Sequence, residues 1–148
     1  MPSSAEVDHI FQCPANTLWN LIGDFGDMKS WGSSNLTSCV QEGTGIGSIR
    51  TITIHDSGKD IVIVDRLDAE TERSYTYSIV SSPLPYQSYQ ATMAVKELDG
   101  TQSQLTWSST FEPKGITEIE AIEYTKQMYQ RGMKLMEQAL IRQGLLHQ

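Results

Sequence analysis

Residues 101–140, TQSQLTWSSTFEPKGITEIEAIEYTKQMYQRGMKLMEQAL, change their hydrophobic period partway through, and that change decides the fold. From Thr101 to Glu112 the apolar side chains Leu105, Trp107 and Phe111 fall on alternate positions with Ser109, as one covered face of a β-strand requires. Beyond Pro113 the spacing becomes three, four or seven: Ile119, Ile122, Tyr129, Met133, Met136 and Leu140 share one stripe of a helix running from about Gly115 to Gly144. Thr117-Glu118-Ile119-Glu120 has the form of a capping box, in which the Thr117 hydroxyl and the Glu120 carboxylate each meet the other's backbone amide. Acidic residues gather at the start (Glu118, Glu120, Glu123) and basic ones in later turns (Arg131, Lys134, Arg142), as the helix dipole favours. Gly144 suits the position just past the end. Some 26 residues at about 1.5 Å each predict a helix about 39 Å long.

Upstream of that pair the period is two almost throughout. Strands are expected at 6–13, 37–42, 47–55, 60–68, 73–80, 87–98 and 101–112, separated by Gly43-Thr44-Gly45, Asp56-Ser57-Gly58, Glu70-Thr71-Glu72, Ser82-Pro83-Leu84-Pro85 and Asp99-Gly100. Asp99-Gly100 is the strongest hairpin signal, since a type I′ turn needs two residues that tolerate positive φ. After the first strand, Leu18, Trp19, Leu21 and Ile22 mark a short helix over Ala15–Phe25, and Asp27–Trp31 reads as a second short helical turn. Connections this short imply antiparallel pairing. The expected fold is therefore α+β: a curved seven-stranded antiparallel sheet wrapped around a long C-terminal helix, with two short helices after strand 1, in one domain spanning 1–148. One stripe of one helix is too narrow to cover so broad a concave face. A cavity beside the helix follows.

Composition removes several classes of function. A net charge of −7 without a Lys/Arg cluster disfavours nucleic acid and anionic membrane surfaces. Apolar runs stay as short as Ile61–Val64, and the first residues carry neither a basic nor an apolar leader segment, so neither a membrane helix nor a signal peptide is expected. Cys13 and Cys39 lack close Cys or His neighbours, and His9, His55 and His147 are scattered, so no metal is expected. Two lone thiols point to a reducing compartment, hence the cytoplasm. Gly43-Thr44-Gly45-Ile46-Gly47 lacks the Gly-Lys-Ser/Thr ending of a nucleotide loop and leads into a strand, so it reads as a turn near a cavity entrance, together with Ser82–Pro85 and the short-helix region.

Inside the expected cavity two charged residues stand out. Period two places Arg50 with Ile52 and Ile54, and Asp65 with Ile61, Ile63 and Leu67; the two belong to adjacent hairpin strands and can meet on the inner face. A desolvated guanidinium there can hold an oxyanion or a carbonyl, while the carboxylate moves a proton. A buried ion pair that fixes strand register is the alternative. Tyr75 and Tyr77, Tyr89 and Met93, and Trp107 also point inward, as core or as ligand contacts with a hydroxyl to spare. Met128, Met133 and Met136 offer a compliant lining.

Leu18-Trp19-Asn20-Leu21-Ile22-Gly23-Asp24-Phe25-Gly26, Trp31, Gly43-x-Gly45-x-Gly47-Ser48-Ile49-Arg50, Asp65-Arg66-Leu67, Ser74-Tyr75-Thr76-Tyr77, Leu84-Pro85, Tyr89–Met93 and Trp107, taken in this order, carry a family resemblance. The chain resembles the SRPBCC superfamily, the START-like and birch-pollen-allergen-like helix-grip proteins, and within it the polyketide cyclase-like and lachrymatory-factor-synthase-like branch. The resemblance implies a helix-grip fold and an apolar pocket, without cofactor, for a small hydrophobic organic ligand. It also aligns Arg50 with a pocket arginine implicated in rearranging a substrate. Asp65 stands where that branch has a glutamate, one methylene shorter. The expected ligand contacts are Trp31, Ile52, Ile63, Tyr75, Tyr77, Tyr89, Met93, Trp107, Tyr129, Met133 and Met136. Ligand binding is the leading expectation. A cofactor-independent lyase, cyclase or isomerase acting on an apolar carbonyl compound is the alternative, with Arg50 as electrophile and Asp65 as base. The chain is expected as a monomer or a homodimer.

Overall fold

The computed structural model describes residues 2–146. Strand β1 (Ser3–Phe11) leads into helix α1 (Ala15–Ile22), followed by β2 (Leu36–Glu42), β3 (Ile49–Asp56), β4 (Lys59–Thr71), β5 (Ser74–Ser81), β6 (Tyr86–Asp99), β7 (Gln102–Pro113) and helix α2 (Glu118–Arg142). The seven strands form one antiparallel sheet in the order β1-β7-β6-β5-β4-β3-β2, so that β1 and β2 are its edges. With α2 held against the concave side, this is the helix-grip arrangement.

Both short helical elements form, the second as a single turn: Asp27–Trp31 contains a three-residue 3-10 turn, Met28–Ser30. Gly26 and Gly32 leave too little chain for more, and the Gly32 amide closes the turn on the Met28 carbonyl at 2.7 Å. The type I′ geometry sits elsewhere than expected. Asp99 and Gly100 keep negative φ, because the Asp99 Oδ1 takes the Thr101 amide at 2.7 Å and its hydroxyl at 2.8 Å, building the turn from a side chain. The two central residues with positive φ are Ser57 (52°) and Gly58 (81°), between β3 and β4.

Helix α2 carries the expected capping box, with the Glu120 amide donating to Thr117 Oγ1 at 3.1 Å and the Thr117 amide to Glu120 Oε1 at 3.0 Å. Its buried stripe is Ala121, Thr125, Tyr129, Gly132, Met133, Met136, Ala139 and Leu140. Ile119, expected on that stripe, is 77% exposed, since the first turn protrudes beyond the sheet and the covered face begins at Ala121. Thr125 is tolerated inside because its hydroxyl donates to the Ala121 carbonyl at 2.7 Å and pairs with the Tyr86 hydroxyl at 2.6 Å.

The helix does not lie over the middle of the sheet. It packs chiefly against β1, with smaller contacts to β7 and α1. Under it, Phe11, Leu18, Ile22, Met93, Leu105 and Phe111 are almost wholly buried. On the far side, Ile54, Ile63 and Ile79 also point to the concave face but are only half-buried. That asymmetry positions the site.

Candidate functional site

Cross-strand pairing brings the two charged candidates together. Arg50 of β3 lies directly opposite Asp65 of β4. The guanidinium donates twice to one carboxylate oxygen, from Nε to Asp65 Oδ2 at 3.1 Å and from Nη2 to the same atom at 2.8 Å. Nη1 donates to the Phe25 carbonyl at 3.2 Å, which ties the segment after α1 to the sheet. The Phe25 ring lies 4.2 Å from the guanidinium carbon and the Tyr77 ring 5.2 Å, both within cation–π range. Both charged residues are buried, Arg50 at 4% exposure and Asp65 at 2%.

Their remaining capacity differs. Three of the five guanidinium N–H groups are engaged in these bonds, leaving two. Asp65 Oδ1 is buried and has no hydrogen-bond partner among the described residues. Burial pushes the Asp65 carboxyl above the usual carboxylate range, the nearby Arg50 offsetting only part of that push. Burial works against the charge of Arg50, but Tyr75 and Asp65 beside it more than compensate, so the guanidinium stays protonated.

The pair sits at the inner end of a pocket of about 560 Å³ between the uncovered part of the sheet and α2. Its walls are mostly apolar: Leu36, Ile52, Ile54, Ile63 and Ile79 from the sheet, Trp31 from the α1–β2 connection, and Leu84 from the β5–β6 turn. Along α2 the stripe Met128, Arg131, Gly132, Leu135 and Gln138, with Lys134, faces the same space. Tyr77, Tyr89 and Trp107 close it toward the core: Trp107 Nε1 donates to the Tyr77 hydroxyl at 3.2 Å, the Tyr77 and Tyr89 hydroxyls lie 3.4 Å apart, and Tyr89 is hydrogen-bonded in turn to Tyr129. Burial holds the Tyr77 and Tyr89 hydroxyls well above their ordinary range, so both remain neutral.

Of the residues expected to meet a ligand, Arg50, Asp65, Trp31, Ile52, Ile63, Tyr77, Tyr89 and Trp107 do line the pocket. The other five, Tyr75, Met93, Tyr129, Met133 and Met136, stand behind the wall at 2% exposure or less. The reason is the offset of α2: its Tyr129 ring stacks on Trp107 with centroids 4.3 Å apart, and the side chains around that stack fill the core. Gly43–Gly47, expected near the entrance, takes no part in the wall. It folds back on β4, the Gly47 amide donating to the Leu67 carbonyl at 2.7 Å and the Leu67 amide to the Ser48 carbonyl at 2.9 Å.

Sequence reasoning set the cavity opening near the short-helix region but named no contact at Met28, Gly32, Ser33 or Asn35, nor at Leu36, the first residue of β2, nor on the polar flank of α2 at Arg131, Lys134 and Gln138, which an apolar stripe does not mark. No group of three or more His, Cys, Asp or Glu side chains is gathered as a metal site needs among the described residues, and His147 lies outside them. No helix among those residues is long and apolar enough to cross a membrane.

Comparison with known proteins places this geometry in company. Residues 2–140 match the family model described as polyketide cyclase/dehydrase and lipid transport. No curated protein matches the chain. Among solved structures, XoxI from Bacillus cereus is 29% identical with a TM-score of 0.82, over 94% of this chain and 96% of that one. Ara h 8.0201 has a TM-score of 0.80 at 21% identity, over 96% of this chain and 99% of that one. The Zhui aromatase/cyclase from a Streptomyces species has a TM-score of 0.71 at 16% identity, over 97% and 93%. The last two likenesses establish the shared fold.

Proposed function

The chain belongs to the polyketide cyclase/dehydrase and lipid transport family, and from that premise we propose that it binds a small, largely apolar organic molecule in the pocket beside α2. A hydrogen-bond donor on that molecule meets Oδ1 of Asp65 after a small shift of the wall, since that atom is sealed from solvent in the unliganded protein. One observation carries the reading: Ile54, Ile63 and Ile79 face inward yet stay half-buried around a space of about 560 Å³. A volume of that order suits a drug-sized ligand. Covering the isoleucines stabilises the complex by about 25 cal/mol for each Å² of apolar surface removed from water. The buried Asp65 oxygen supplies direction, because an unpaired acceptor costs about 1–3 kcal/mol until a donor reaches it.

Native mass spectrometry of the protein purified from its own host is the test. The wild type is expected to carry a co-purifying small mass, or to take up the neutral apolar probe N-phenylnaphthylamine after delipidation. Ile63→Trp, which places an indole in the pocket, is expected to do neither while remaining folded. A wild type that retains no guest and does not brighten the probe sinks the proposal.

A second reading is favoured by the same carboxylate. With Oδ1 free and its affinity for a proton raised by burial, Asp65 is suited to take a proton from carbon beside a substrate carbonyl. The two remaining N–H groups of Arg50 are then candidates to hold the enolate oxygen, and Tyr77 or Tyr89 to orient the substrate. Such a step needs no cofactor and serves a lyase, a cyclase or an isomerase. Asp65→Asn, compared at a temperature where urea unfolding shows the variant folded despite the lost pair with Arg50, separates the readings: an enzyme still takes up the guest and loses turnover, whereas a binding protein changes only in affinity.

A further inference from the structure

The pocket has two chemically different ends, and the outer one suggests what class of molecule enters. The inner end holds a neutralised pair, Arg50 with Asp65. The α2 side of the mouth holds Arg131 and Lys134, both exposed and both in the pocket wall beside Gln138. Neither forms an ion pair among the described residues. Asp65 is the one acidic residue among the described residues of the wall, and its charge is already countered by Arg50. Glu137, the nearest acid along the helix, is engaged with His9 of β1 at 3.0 Å, on the side of α2 turned toward that strand. Two unmatched cations therefore stand at an apolar mouth on a chain whose net charge is −7. An average surface of this protein repels anions, and this rim does not.

We infer that the guest is an amphipathic acid, whose apolar body fills the pocket and whose carboxylate, sulfonate or phosphate stays at the mouth between Arg131 and Lys134. This rests on the proposed binding function and narrows it. Both side chains lie on the same face of α2, three residues apart, and reach outward on long apolar stems, so the anion is held without being taken out of water. Arg131 provides a planar fork for two oxygens, and Lys134 adds a mobile ammonium. The arrangement sets orientation: tail inward toward Ile52 and Ile63, acid outward. It also accelerates entry, because opposite charge at the mouth steers an anion toward it at low salt.

A matched pair of fluorescent probes tests the inference, using the whole chain. Anilinonaphthalene sulfonate and N-phenylnaphthylamine share an aromatic body and differ by the sulfonate. Wild type is expected to bind the sulfonate more tightly, and the preference to fall as salt rises from about 0.05 to about 0.5 M. Arg131→Gln with Lys134→Gln, both exposed and outside the core, is expected to weaken sulfonate binding about five- to tenfold while leaving the neutral probe within about twofold, as two partly screened charges predict. Charge reversal to Glu at both positions deepens the loss. Equal affinities for the two probes, unaltered in the variants, overturn the inference and leave the binding reading intact. Sulfonate binding that persists when Ile63→Trp blocks the pocket also overturns it, since the anion is then held elsewhere. Failure of both probes to bind wild type removes the pocket reading and the inference together.

Discussion

The same sheet and the same helix make a solid core at one end of this molecule and a hollow at the other. Under α2, beside β1, β6 and β7, the inward side chains Met93, Leu105, Phe111 and Tyr129 are at most 1% exposed. Across β3, β4 and β5, Ile54, Ile63 and Ile79 are chemically just as apolar and only partly covered. Residue type does not separate the two ends; the lean of α2 toward β1 does. In the filled half an inward apolar residue is a packing element. In the open half it is a wall.

The largest expected effect comes from emptying the filled half. Tyr129→Ala removes a ring stacked on Trp107 and a hydroxyl bonded to Tyr89, and should cost about 3–5 kcal/mol in urea unfolding. Next is the pair between the halves. Arg50→Met strands a buried carboxylate and is expected to cost about 3 kcal/mol or more, and Arg50→Met with Asp65→Leu should regain most of it, because removing both charges leaves none unpaired. If the double variant is as unstable as the single one, packing and not charge is what the pair supplies.

Gly132→Ala probes the boundary. An added methyl would lie 2.8 Å from Trp107 Cζ3, and that indole is fixed by Tyr77 and Tyr129. The strain is expected to outweigh the gain in helix propensity, for a net loss of about 1–2 kcal/mol, and to narrow the pocket as Trp107 yields. Ile63→Ala should cost less than Tyr129→Ala in the unliganded protein, about 1–2 kcal/mol, since part of the side chain is already uncovered, yet reduce probe affinity. A loss as large as that of Tyr129→Ala would erase the distinction between the halves.

The smallest effect lies outside both. Bonds from the backbone and then the side chain of Thr117 hold the Glu120 carboxyl below its ordinary value of 4.5. A depressed carboxyl contributes stability that is complete above the unfolded value and lost as pH falls through the folded one. Glu120→Gln should therefore flatten the acid side of the stability profile slightly, below about pH 5.

How much of this was legible beforehand follows the same division. Strand period placed Arg50 and Asp65 on one face of neighbouring strands, and the register bears this out in the pairing of Arg50 with Asp65. The capping box at Thr117 was legible because it is purely local. Period cannot report where a helix rests across a sheet, so Tyr129, Met133 and Met136 were expected at the ligand when they sit in the core. Nor does an apolar stripe mark Arg131 and Lys134, which border the pocket from the polar flank of α2. The turn at Asp99–Gly100 misled for a related reason: a side-chain bond to Thr101 replaced the backbone geometry that the dipeptide favours.

The pairing of β1 with β7, running from Ser3 opposite Phe111 to Phe11 opposite Ser103, has a consequence in time. Strand β1 meets its one neighbour among the described strands about a hundred residues further along the chain, and α2, which rests mainly on β1, follows all seven of those strands. Closing so long a loop places this chain among slow folders whose native contacts are distant in sequence. Until β7 emerges, β1 waits with both edges bare, and the nascent chain is most prone to aggregate in that interval.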